Sequence, residues 1–300
     1  MGTSEVETIK EIQGRENIFV AYSQTTKLPY VTCGEESFND QAWFFTEEEA
    51  IKEFGKKKVE EKILLMGMRY EKKDFPRLYG LLFAIGVNTV MWNDGDEQME
   101  IDLEKIVRKP DLSNVEPQKR PLINPTLQLS GIYFIQELRR PVPKEEHKNL
   151  RALEEEVIVN LRKSEFLIAM QKKGDEPDKV NIPYLKDKEG KILQPVFSDV
   201  LEFEKFAKGK RLRIAKVPFD KLPNVLIEQA EALVVNPMGF NLILDREQLG
   251  RILGVKIPAA VPMPAAQPEK PEEAKAEETQ NAPAAEEAAQ PAEDAAKSEE

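Results

Sequence analysis

Asp199 and Asp245 are the two carboxylates of this 300-residue sequence best suited to acid–base work. Each follows an apolar run, Pro195-Val196-Phe197-Ser198 in one case and Leu242-Ile243-Leu244 in the other. Each has an equally good structural account. Glu202 stands three residues beyond Asp199 and Gln248 three beyond Asp245, so both aspartates can cap helices. A third acid, Asp102, repeats the position in the first half of the chain, which suits a cap better than a catalyst.

The rest of the chemical inventory is sparse. The one histidine, His147, reads as lying on the exposed side of a charged helix, which removes Ser-His and Cys-His catalysis and any histidine-cluster metal site. The one cysteine, Cys33, allows neither a disulfide framework nor a cysteine-based metal centre. Glycine-rich phosphate loops and dinucleotide fingerprints are missing, so no cofactor is expected. Asn236-Pro237-Met238-Gly239 reads either as a ligand-holding loop or as a hairpin turn in which Pro237 fixes φ and Gly239 takes a positive φ. Arg139-Arg140, with Lys144 and Lys148, is a basic cluster that could meet an anion or an acidic partner, or pair locally with Glu137 or Glu154. The candidate binding positions are therefore Arg139, Arg140, Asp199, Asn236, Gly239 and Asp245. Trp43, Phe44, Phe45 and Trp92 read as core.

The elements that must position these residues follow from pattern. A short helix to about Gln13 would have Val6, Ile9 and Ile12 on one face. Ile18 to Tyr22, Leu28 to Val31 and Trp43 to Phe45 read as extended, and Thr46-Glu47-Glu48-Glu49 as a capping box opening a helix with Ile51 and Phe54. Ile63 to Met66 reads as a strand, Phe75 to Ala84 as a helix, and residues 89–101 as a hairpin turning at Asn93-Asp94-Gly95, with a short helix from Asp102. Residues 110–130, rich in proline, read as a linker. Gly131 to Ile135 suits a strand or a buried helical turn, and Lys144 to Lys163 a helix with Leu150, Leu153, Val157 and Leu161 inward.

From Glu165 the first pattern recurs. Ile182-Pro183-Tyr184 answers Leu28-Pro29-Tyr30, and Val196-Phe197-Ser198 answers Phe44-Phe45-Thr46. Phe206 stands as far beyond Phe197 as Phe54 does beyond Phe45, and residues 242–249 align without a gap on 99–106. Two related α+β modules in tandem are expected, over 1–109 and 131–257. The last stretch, 258–300, is almost wholly Ala, Pro, Glu, Lys and Gln and is expected to be disordered. From Ala259 it holds eleven acidic and three basic residues, hence −8 of the formal −11. The remaining charge of about −3 marks neither part as a nucleic-acid binder. The polar opening Met1-Gly2-Thr3-Ser4-Glu5 and apolar runs too short to span a membrane predict a cytoplasmic protein.

At Pro195-Val196-Phe197-Ser198-Asp199 and Val235-Asn236-Pro237-Met238-Gly239 the second half resembles the SseB N-terminal domain family, also called enhanced serine sensitivity proteins. Gln136 to Pro141 resembles the lead-in of bacterial members. The first half departs from the pattern, with Thr46-Glu47 for Ser-Asp and Asn93-Asp94-Gly95 for Asn-Pro-x-Gly, and so resembles a divergent copy. The resemblance implies a bacterial α+β module and no transferable reaction. A non-catalytic module for an unknown protein partner or small ligand is the expected function. The alternative is an enzyme with Asp199 and Asp245 in one cleft.

Overall fold

The structure, a computed structural model, describes residues 4–95, 97–172 and 180–261. The acidic tail from residue 262 lies outside the described residues. The chain opens with α1 (Glu5–Gly14), closed by a capping box in which Ser4 Oγ accepts from the Glu7 N–H and Glu7 accepts from the Ser4 N–H. Its inward face is Thr8 and Ile12, and Val6 points to solvent rather than joining them.

The first half then runs β1 (Asn17–Ser23), β2 (Val31–Cys33), β3 (Asp40–Phe45), α2 (Glu48–Glu60), β4 (Leu65–Glu71), α3 (Phe75–Ile85), β5 (Thr89–Asn93), β6 (Gln98–Asp102) and α4 (Leu103–Ile106). Its sheet has the order β4-β1-β3-β5-β6, with β2 also on β3. Alternate residues of β1 and β3 feed opposite faces, as strand geometry requires. Val20, Phe44 and Trp92 join the main core, whereas Ala21 and Phe45 meet Ile51 and Phe54 of α2 on the other face. The expected capping box at Thr46 does not form. Thr46 is buried, the N-cap is Glu47, and no side chain caps α2.

The second half is longer at its start. The stretch expected as a linker ends in α5 (Pro125–Leu138), whose Pro125 suits a first turn because the missing N–H has no helical partner there anyway. Gly131 to Ile135 is therefore helix, not strand. The helix expected from Lys144 begins later: Lys144–Glu146 is a 3-10 turn, and α6 is Leu150–Lys163. Then follow β7 (Glu165–Lys172), β8 (Val180–Asn181), β9 (Leu185–Lys186), β10 (Ile192–Val196), α7 (Val200–Ala207), β11 (Arg213–Pro218), a 3-10 stretch (Phe219–Val225), β12 (Ala232–Val235), β13 (Leu242–Asp245) and α8 (Arg246–Leu253).

Two sheets form here, β13-β12-β10-β9 and β11-β7-β8. A reciprocal backbone pair between Leu167 and Phe197 (2.8 and 3.0 Å) joins them, so β7 lies beside β10. Across that bridge the order is β11-β7-β10-β12-β13, with β9 on β10. Strand senses agree with those of the first half throughout: β3 with β5 and β10 with β12 are parallel, and the other equivalent pairs are antiparallel. Smaller details agree as well. Lys72 N–H donates to Glu16 O at 2.9 Å where Phe219 N–H donates to Ser164 O at 3.1 Å. Phe54 packs on Phe45 at 5.2 Å between ring centroids, and Phe206 on Phe197 at 5.1 Å.

One compact unit spans Met1–Pro262. Its main apolar core is continuous across both halves, from Phe44, Leu82 and Trp92 through Leu127 and Phe134 of α5 to Phe166, Leu233 and Leu249. Helix α5 packs on α3 and on α6, so it belongs to both halves. Among the described residues no helix is long and apolar enough to cross a membrane.

Candidate functional site

The side chains singled out from the sequence gather in three places. The first is a buried polar knot where β10 runs into α7. Asp199 is the N-cap, its Oδ1 accepting from the Glu202 N–H at 2.9 Å. Its Oδ2 accepts from Ser198 Oγ at 2.8 Å and from Gln128 Nε2 of α5 at 2.5 Å. Asn236, at the end of β12, reaches across: its Oδ1 accepts from the Ser198 N–H at 2.9 Å and its Nδ2 donates to Ser198 Oγ at 2.7 Å. Asn124, just before α5, donates to the carbonyls of Ser198 and Glu165. Gln128, Ser198, Asp199, Glu202 and Asn236 are all buried.

Glu202 does not close a capping box on Asp199. It turns inward, where Lys205 Nζ donates to its Oε1 at 2.6 Å, while its Oε2 and Gln128 Oε1 have no protein partner. Burial pushes the Glu202 carboxyl up from its ordinary range; Lys205 opposes that shift and Asp199 adds to it. Gly239 sits directly over this carboxyl. A Cβ at Gly239 would come within 2.8 Å of both Glu202 oxygens. The turn's positive φ values fall on Asn236 (50°) and Asn241 (52°), not on Gly239 as the sequence suggested. Glycine is needed there for space rather than for φ.

The second place is the far end of the same sheet. Asp245 caps α8 through a complete capping box with Gln248. It pairs with Ala232, and Ala232 pairs with Leu193 near the start of β10, whereas Asp199 lies beyond the end of β10. The two aspartates therefore sit at opposite ends of the strands and share no cleft, which overturns the enzyme reading built on them. Arg246, next in sequence, donates to the carbonyls of Ile227, Glu228, Ala230 and Pro258, fastening the chain before β12 to the stretch after α8.

The third place is the end of α5. Arg140 donates to Glu137 at 2.8 Å and to the Glu146 carbonyl at 2.6 Å. Burial pushes the Glu137 carboxyl up, but Arg140, the Lys148 N–H and His147 outweigh it and hold it below its usual value. His147 is not on an exposed helix face. It precedes α6, its ring nitrogen 3.2 Å from Glu137 and its side chain only 9% exposed. Arg139 donates to the Asn241 carbonyl at 2.6 Å, tying α5 to the approach of β13.

Beside that tie runs an apolar groove of about 580 Å³ between α5, α6, β13 and α8. Phe134, Leu150, Leu161, Leu242, Leu244 and Ile252 are among its walls. The consecutive residues Leu242, Ile243 and Leu244 all line it, although successive strand side chains point to opposite faces. The groove must therefore follow the free edge of β13, which among the described residues pairs only with β12. Sequence reasoning missed this groove and the roles of Gln128 and Glu202. The helical spacing of Leu150, Leu153, Val157 and Leu161 was visible, but not that part of the stripe stays uncovered.

The strand-end Phe-Ser-Asp cap and the Asn-Pro-Met-Gly turn thus interlock through Asn236, and both lie in the stretch that a family model matches. Residues 145–251 match the family model of the SseB protein N-terminal domain. The SseB segment holds Asp199, Asn236, Gly239 and Asp245. It leaves out α5, which supplies Gln128, and Arg139 and Arg140 just beyond the end of that helix. Two solved structures are similar in coarse terms. One, titled Tic22 from Plasmodium falciparum, is 11% identical, with 82% of this chain and 95% of that chain covered and a TM-score of 0.20. The other, titled Anabaena Tic22 (protein transport), is 10% identical, with 74% and 85% covered and a TM-score of 0.20. Scores of that size do not establish a common fold. No curated protein matches the chain.

Proposed function

We propose that this chain is a non-catalytic binding protein of the bacterial cytoplasm, made of two related SseB-like halves, with its binding surface for a protein or small ligand in the second half. Matching strand order, strand senses and core aromatics support the relation between the halves. The SseB match supports the second half as the one that keeps the family's features. The carboxylates that would have served an enzyme are engaged as caps at opposite ends of the sheet.

The observation that carries the binding reading is the contrast between the two equivalent sheet edges. At β6 the position equivalent to Ile243 is Glu100, whose carboxylate accepts from Ser37 (3.0 Å), Asn39 (2.5 Å) and Gln41 of β3 (2.8 Å), so it is polar and engaged across the sheet face. At β13 the edge is apolar and opens on the groove, a concave apolar surface of the size small ligands and peptide side chains occupy. The test is titration of the full chain with Nile red, a neutral apolar dye. Saturable fluorescence enhancement is expected, with amide NMR shifts confined to α5, α6, β13 and α8, and Ile158→Asp, in the α6 wall of the groove, should abolish both. Enhancement that survives Ile158→Asp, or shifts elsewhere in the chain, would overturn the assignment of the surface.

A further inference from the structure

The groove has a second property besides being apolar: it lies along a strand whose outer edge is open. We infer that β13 takes up an extended acidic peptide of a partner protein as an additional strand, its apolar side chains entering the groove and its carboxylates meeting Arg162 and Arg251. This deepens the binding reading and rests on it.

The extended form follows from β13 itself. An edge strand presents N–H and C=O groups with no strand to receive them, which makes it a template for another extended segment. Ile243 is 46% exposed on this edge, and Leu242 and Leu244 flank it from the other face. A segment added here would place alternate side chains into the groove and the intervening ones on its rim. At about 3.3 Å per residue, four to six residues would span β13.

The acidic character follows from the rim. Charged residues lining the groove are Glu154, Arg162 and Arg251, two cations against one anion in a chain of formal charge −11. Arg162 is exposed, and Arg251 is 70% exposed with only a loose 4.0 Å approach to Glu247. Arg162 has no ion-pair partner among the described residues, and a planar carboxylate could compete with Glu247 for Arg251. A lysine-rich or neutral peptide would leave that charge uncompensated.

The experiment uses the full chain and a fluorescein-labelled octapeptide alternating Glu and Val, read by anisotropy. Saturable binding is expected, with at least tenfold weaker binding of a Lys-Val octapeptide. The double substitution Arg162→Ala, Arg251→Ala should weaken the Glu-Val peptide about tenfold, while circular dichroism stays unchanged. Peptides N-methylated at odd or at even positions separate strand addition from simple apolar contact. One of the two series should lose binding, because its methyl groups face β13. If Nile red binds the groove but the Glu-Val peptide does not, or the Lys-Val peptide binds as well, the partner class is wrong and the binding surface stands. If neither dye nor peptide binds, the underlying reading fails too. Dimers in sedimentation that Ile243→Lys converts to monomers would make a second copy the occupant and overturn the proposal. So would peptide binding that appears only after removal of residues 262–300, which would make the chain's own acidic tail the occupant.

Discussion

Asn93 ends β5 and Asn236 follows the end of the equivalent β12, and each precedes by the same interval the aspartate that caps the next helix, Asp102 or Asp245. They do different work. Asn93 Oδ1 accepts from the Gly95 N–H two residues on, so the first turn is held by its own residues. Asn236 spends both ends of its amide on Ser198, in the neighbouring strand-to-helix junction. One half thus closes its turn locally, whereas the other uses the turn as the lid of a buried polar knot that also receives Gln128 from α5. A repeated backbone frame is compatible with very different interiors, because the frame depends on apolar spacing and the interior on which polar groups are buried and satisfied.

The largest test of the common frame is the pair Phe45→Ala and Phe197→Ala. Both rings are fully buried under a phenylalanine of the following helix. Each loss should cost about 3–5 kcal/mol in urea unfolding. A clear inequality between the two would break the equivalence of the halves.

Asp199→Ala should be costlier than the other two cap losses. It removes the acceptor for Gln128, Ser198 and the Glu202 N–H inside a buried cluster, and about 2–3 kcal/mol is expected. Asp102→Ala and Asp245→Ala, which cap at exposed positions, should each cost about 1 kcal/mol. Equal losses at all three would show that the knot adds nothing to the cap.

Gly239→Ala and Gly95→Ala sharpen the comparison of the turns. Gly95 has φ +102° and open space around it, so alanine there should cost about 1 kcal/mol through the backbone alone. Gly239 has an ordinary φ but no room, and crowding Glu202 should cost about 1–3 kcal/mol. Shortening the acid as well, in Gly239→Ala with Glu202→Ala, should recover part of the Gly239 loss relative to Glu202→Ala alone. No recovery would mean that Glu202 is not what the turn avoids.

The smallest effect concerns pH. A carboxyl raised above its unfolded value gives stability that is fully present below the unfolded value, about 4.3, and is lost as pH rises through the folded one. Glu202→Gln should therefore unfold at a temperature closer to that of the native chain in acid than at neutral pH. At neutral pH the variant should be the more stable of the two. A variant whose difference from the native chain does not change with pH would put the acid's titration elsewhere.

Much of this protein was legible in its sequence wherever local periodicity decides. Phe45 with Phe54 and Phe197 with Phe206 showed their common interval because helix and strand repeats fix where core side chains fall. Asp102, Asp199 and Asp245 were recognisable as caps because a cap needs only residues within one turn. What the sequence could not decide were contacts between residues far apart in the chain. Gln128 lay in a stretch that its prolines suggested was a linker, and only the packing of α5 brought its amide to Asp199. Glu202 carried the spacing of a box-closing residue, but its carboxylate is turned inward instead, against Lys205 and the turn at Gly239. The groove beside β13 belongs to the same class. A stripe of leucines on α6 determines that a face will be apolar, and only the tertiary placement of β13 and α8 decides how much of it remains uncovered, because burial depends on what comes to lie opposite.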